Sequence, residues 1–77
     1  MTADSFDRTL HAFQRRAPFR PFSVELVSGS RLRVEHPEAL VVRAGVAVFI
    51  DADGTLALFD HESVSKVMDE RSSRKSR

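Results

Sequence analysis

The chain has 77 residues, a formal net charge of +1 and no cysteine, tryptophan or tyrosine. That length supports one small domain, which buries only roughly 60% of its unfolded surface. The composition excludes disulfides and thiolate chemistry and offers no apolar run near the roughly 20 residues of a membrane-spanning helix; the net charge is too small to argue for nucleic acid by itself.

Thr2 to Arg16 is predicted as a helix. Phe6, Leu10 and Phe13 fall at i, i+4 and i+7, on one face. Thr2 or Asp4 suits the N-cap, while Asp4 and Asp7 at the start and Arg15 and Arg16 at the end suit the helix dipole. Pro18 stops the helix, and Pro21 holds an extended lead into the next element. Asp4 and Asp7 also stand where a signal peptide needs a basic and then an apolar region, so the expected location is cytoplasmic.

Phe22 to His36 reads as a β-hairpin. Phe22, Val24 and Leu26 alternate with Ser23 and Glu25, and Leu32 and Val34 alternate with Arg31, Arg33 and Glu35. This period of two marks strands with one buried face. With Ser28-Gly29-Ser30 as the turn, Leu26 faces Leu32, Val24 faces Val34 and Glu25 faces Arg33. A two-residue loop would set Leu26 against an arginine. Gly29 then lies mid-loop, whereas the left-handed residue of a three-residue loop normally comes last. A bulge near Ser30 is expected to absorb the difference.

His36 to Ala39 is a turn, followed by strands at Leu40–Val42, Val46–Ile50, Thr55–Asp60 and Val64–Met68. Arg43-Ala44-Gly45 and Ala52-Asp53-Gly54 each end in glycine, as a type I turn with a bulge requires. Those loops set Val42 opposite Val46, Leu40 opposite Val48, Ile50 opposite Leu56 and Val48 opposite Leu58, giving one apolar core face. The opposite face carries Val41, Ala47, Phe49, Ala57 and Phe59, and is apolar too. A one-sided antiparallel sheet is polar on its wet side, so something covers this face. The protein's own helix, a sheet curling on itself, or a second subunit would do so, and the five residues are interface candidates. Residues 69–77 hold no apolar side chain and are expected to form a disordered basic tail after a single domain spanning 1–68.

A helix followed by five or six short antiparallel strands predicts a mainly β fold, first a small SH3-like or Sm-like barrel whose closure removes exposed edges, and second an open sheet with the helix packed across one face. The pattern Pro-Phe-Arg-Pro-Phe at 18–22, the Ser-Gly hairpin and His-Pro-Glu at 36–38 resemble a group of small uncharacterised bacterial proteins, a resemblance that brings no activity with it. The layout also resembles the bacterial Sm-like RNA chaperone family. There, a helix ending in arginines precedes a proline, a strand like Ser23 to Val27 and a glycine turn. The resemblance implies that Arg15 and Arg16 contact RNA at the rim of a ring, with Phe59-Asp60-His61, Val64 and Val67 standing near the aromatic-lysine-histidine signature. Asp60 replaces the lysine, and an extra residue precedes Val64. An acid at a uridine-binding pore repels phosphate, so the pore chemistry does not carry over.

Phe49 to Leu56, FIDADGTL, resembles the first motif of haloacid dehalogenase-like phosphatases, where one aspartate attacks phosphorus and the next is the acid/base. That motif needs a parallel sheet, a following helix and a distant lysine. Here Thr55 opens another alternating strand, and Asp and Gly are ordinary hairpin-turn residues. The acids a calcium loop needs beyond Gly54 are missing. His11, His36 and His61 share no ligand spacing, so neither a metal nor another cofactor is expected. Arg15, Arg16, Arg71, Arg74, Lys75 and Arg77 are the nucleic-acid candidates. No nucleophile–base pair or phosphate loop is present. The sequence therefore predicts a non-enzymatic β module for self-association or a protein partner, with Sm-like RNA binding as the alternative.

Overall fold

The computed structural model describes residues 1–70. Helix α1 spans Ala3–Gln14, and Thr2 caps it by accepting the Ser5 N–H at 3.1 Å. Six strands follow: β1 Phe22–Leu26, β2 Arg31–Val34, β3 Leu40–Arg43, β4 Val46–Ile50, β5 Leu56–Asp60 and β6 Val64–Asp69. They form two antiparallel three-stranded sheets, ordered β2-β1-β6 and β3-β4-β5. The fold is mainly β with one N-terminal helix, as expected, but the sheets do not close into a barrel. The connection from β2 to β3 explains the gap. Pro37 opens a 3₁₀ turn, Pro37–Ala39, in which the Ala39 N–H reaches the His36 carbonyl at 3.0 Å. A chain turned back on itself at this point leaves β2 and starts the second sheet, so no ladder joins β2 to β3.

Three hairpin registers test the sequence reading. The β4–β5 loop is as expected, with Ile50 opposite Leu56 and Val48 opposite Leu58. In the first hairpin Val24 faces Leu32 and Phe22 faces Val34, two residues from the expected pairing. The loop is Val27-Ser28-Gly29, closed by Gly29 N–H to the Leu26 carbonyl at 2.9 Å, with Gly29 last and at φ 96°. The glycine thus takes the usual left-handed place without a bulge at Ser30. A shift of two leaves every side chain on its expected face.

The β3–β4 hairpin differs by one residue, and that reverses its consequences. Leu40 faces Phe49 and Val42 faces Ala47. The loop is the pair Ala44-Gly45, both left-handed at φ 53° and 80°, the geometry of a type I′ turn. An odd shift changes which side chains are cross-strand neighbours on a face. Leu40 and Val42 therefore join Ala47, Phe49, Ala57 and Phe59 on the inner face. Val41 joins Val46, Val48, Ile50, Leu56 and Leu58 on the outer one.

The inner faces of both sheets and the apolar face of α1 make the core. Phe6 and Leu10 are fully buried, as are Phe22, Val24 and Val34. The Phe6 ring meets Phe59 edge-on at 5.9 Å, and Phe13 meets Phe22 at 5.0 Å, so one helix fastens to both sheets. Ala47 and Ala57 leave room on the second sheet for the large helical side chains. A polar stripe lies beside the helix's apolar one. Asp7 accepts the Gly45 N–H at 2.8 Å, a His11 ring N–H donates to the Val42 carbonyl at 3.3 Å, and Gln14 donates to the Leu40 and Pro37 carbonyls. These residues, at i, i+4 and i+7, satisfy backbone groups along the free edge of β3.

A candidate docking face on the second sheet

The outer face of β3-β4-β5 is built in rows by its registers. Val41, Val48 and Leu58 lie side by side, Ile50 pairs with Leu56, and Val46 lies between Arg43 and Asp60. All of the apolar members except half-buried Val48 are exposed, from 39% for Ile50 to 71% for Leu58. Together the exposed ones present on the order of 450 Å² of surface, within the roughly 300–600 Å² of the largest apolar patch on a typical monomer, a patch that is often functional.

The predicted interface residues divide across the two faces. Ala47, Phe49 and Phe59 are buried and Ala57 is half-buried, all on the inner face. Only Val41 is on the outer one. The expectation that these five share a surface is corrected by the one-residue difference at the β3–β4 turn: the four inner members face the core, where Phe59 meets Phe6 of the helix. The uncovered apolar face is the one the sequence reading assigned to the core. Composition carries a trace of this: the inner face holds both phenylalanines and both alanines, which suit helix docking, and the apolar members of the outer face are all Val, Ile and Leu.

Asp60 closes the β5–β6 turn. One of its carboxylate oxygens accepts the Ser63 hydroxyl at 2.8 Å and the backbone N–H groups of Glu62 and Ser63. Chiefly the Ser63 hydroxyl bond, with the two backbone donors, holds this carboxyl below the usual range. Arg43 and Asp60 form no ion pair with each other or with any other described residue.

The other candidates are placed as follows. Arg15 is exposed at the end of α1, but Arg16 is committed to the fold. It pairs with Asp69 at 2.5 Å, donates to the Arg20 carbonyl at 2.8 Å and stacks over Phe13 at 4.7 Å. Of the tail expected over 69–77, Asp69 instead ends β6 and the Glu70 N–H reaches the Pro21 carbonyl at 3.2 Å, while Arg71, Arg74, Lys75 and Arg77 lie outside the described residues. Asp51 and Asp53 spend their carboxylates on their own turn, accepting the Ala52 and Thr55 N–H groups at 2.7 and 3.1 Å. The Thr55 backbone and then its side chain hold Asp53 below the usual range. A His61 ring nitrogen lies 3.0 Å from the Met1 carbonyl.

A cleft of about 580 Å³ separates the outer edge of β2 from the end of the second sheet. Leu32, Ala39 and Phe49 line its floor, and its rim alternates in sign, with Arg31 and Arg33 against Glu35, Glu38 and Asp51. Arg33 and Glu35 pair at 3.4 Å. Among the described residues no three His, Cys, Asp or Glu side chains gather to hold a metal ion, and no helix is long and apolar enough to cross a membrane. No family model, curated protein or solved structure matches this chain.

Proposed function

We propose that the protein is a non-enzymatic interaction module whose outer face on β3-β4-β5 docks onto another protein surface. One observation carries this reading: five Val, Ile and Leu side chains of one sheet face stand in solvent while the molecule's own helix is occupied on the other side. Burying such a face is favourable in proportion to the apolar area removed from water. The RNA-binding alternative is weaker at the helix end, because Arg16 is held by Asp69 and Phe13, which leaves Arg15 of that pair to meet phosphate.

The test is photocrosslinking in cells that make the protein, with benzoylphenylalanine at Leu58 and, as a control, at exposed Arg8. Adducts from position 58 and none from position 8 are expected. Absence of adducts at 58, or equal yields at both positions, would remove this face as the docking surface.

A further inference from the structure

Building on that docking face, we propose that its occupant is a second copy of this chain, packed face to face about a two-fold axis parallel to β4. The registers carry the inference. Arg43 on β3 and Asp60 on β5 lie in one row, on either side of Val46. Two strand spacings, roughly 10 Å, separate them, and no ion pair joins them within one molecule. Two in-plane axes are available to sheets packed in this way. An axis across the strands lays β3 over β3 and reverses the rows, setting Arg43 and Asp60 over the far, apolar end of the partner. An axis along β4 keeps the rows in step and lays β3 over the partner's β5. Arg43 then meets Asp60 of the partner subunit, the partner's Arg43 meets Asp60, and the contact occurs twice by symmetry.

The same operation handles the apolar rows. Val46, Val48 and Ile50, on the central strand, each meet their own copies near the axis, and Val41 lies over the partner's Leu58. Two aligned sheets pack about 10 Å apart with strand directions within about 30° of each other, a separation that Val, Leu and Ile side chains fill. The Asp60 oxygen that Ser63 does not use is the one left for the guanidinium. The two faces together remove on the order of 900 Å² of apolar surface, near the lower bound of roughly 1,000 Å² for a specific interface, which predicts a weak, concentration-dependent dimer.

The test is sedimentation equilibrium of the full chain across a concentration series. The wild type is expected to pass from monomer to dimer in the micromolar range, and Leu58→Lys to remain monomeric. Arg43→Asp turns both ionic contacts repulsive and is expected to raise the dissociation constant about tenfold. Mixing Arg43→Asp with Asp60→Arg restores opposite charges at both contacts, so the mixture is expected to dimerise better than either variant alone. Because Asp60 also holds the β5–β6 turn, Asp60→Asn, which keeps the acceptor oxygen, supplies the second arm and is expected to weaken the dimer about threefold. A wild type that stays monomeric to about 1 mM, or a dimer indifferent to Arg43→Asp and Leu58→Lys, overturns the proposal. A monomer that still forms adducts of another mass through position 58 overturns self-pairing and leaves the docking face standing; absence of adducts removes both.

Discussion

The two sheets have the same size and both press an apolar face on the core, yet their outer faces are opposites. On β2-β1-β6 one outward row is ionic, Arg31, Glu25 and Lys66 side by side with Lys66 3.8 Å from Glu25, and the next sets buried Ser23, which bonds Glu70, between Arg33 and Met68. On β3-β4-β5 the outward rows are aliphatic apart from Arg43 and Asp60 at one end. An antiparallel sheet with one face in water is ordinarily polar there, and of the two sheets the first is nearer to that pattern. The proposed docking role rests on this contrast more than on any single residue.

The largest effect that sharpens this contrast comes from neighbouring residues on β5. Phe59→Ala empties a site packed against Phe6 and is expected to destabilise the fold by about 3–5 kcal/mol, read as a shift in denaturant midpoint. Leu58→Lys, one residue away and facing out, is expected to change monomer stability by about 0.5 kcal/mol or less while abolishing association. Comparable loss of stability in both would mean that the face assignment is wrong.

The turns supply a middle-sized effect. A Cβ added at Gly45 meets Ala3 Cβ at 2.8 Å and His61 Cδ2 at 3.0 Å, whereas one added at Gly29 meets nothing within 4 Å. Both glycines are left-handed, so each alanine carries a backbone strain of about 1 kcal/mol. Gly45→Ala should cost about 1–2 kcal/mol more, because it also pushes α1 off the second sheet. Equal melting temperatures for the two variants would show that the helix is not held at this turn.

The smallest effect is electrostatic. Ser63→Ala removes the leading cause of the low Asp60 pKa, so an NMR titration should find that carboxyl shifted upward toward the ordinary aspartate range. A carboxyl whose folded pKa is depressed contributes stability above its unfolded pKa, and that contribution is lost as pH falls through the folded value. The variant should therefore show a weaker loss of stability on acidification in that window. An unmoved Asp60 titration would break the assignment of the turn.

The helix, its apolar stripe, every strand and the β4–β5 register were legible in the sequence because period and turn chemistry agreed there. The β3–β4 register was not. Both faces of the second sheet are apolar, so hydrophobic pattern carried no penalty for the wrong choice, and Arg43-Ala44-Gly45 satisfies a three-residue loop as well as Ala44-Gly45 satisfies a type I′ turn. Ala44 in a left-handed conformation is an uncommon residue choice, which is why glycine alone pointed elsewhere. In the first hairpin the same kind of misplacement moved the register by two, and alternation protected the result. The edge contacts of Asp7, His11 and Gln14 were hidden because they depend on where α1 docks, not on local pattern.

Those edge contacts bear on why the chain tolerates an aliphatic sheet in water at all. An exposed apolar sheet becomes a seed for cross-β growth when strands can be added at its sides. Here α1 satisfies the Leu40 and Val42 carbonyls on the β3 side with its own polar side chains, so among the described residues that edge is covered against strand addition. The helix is thus a chain terminator for fibrils as well as a lid for the core.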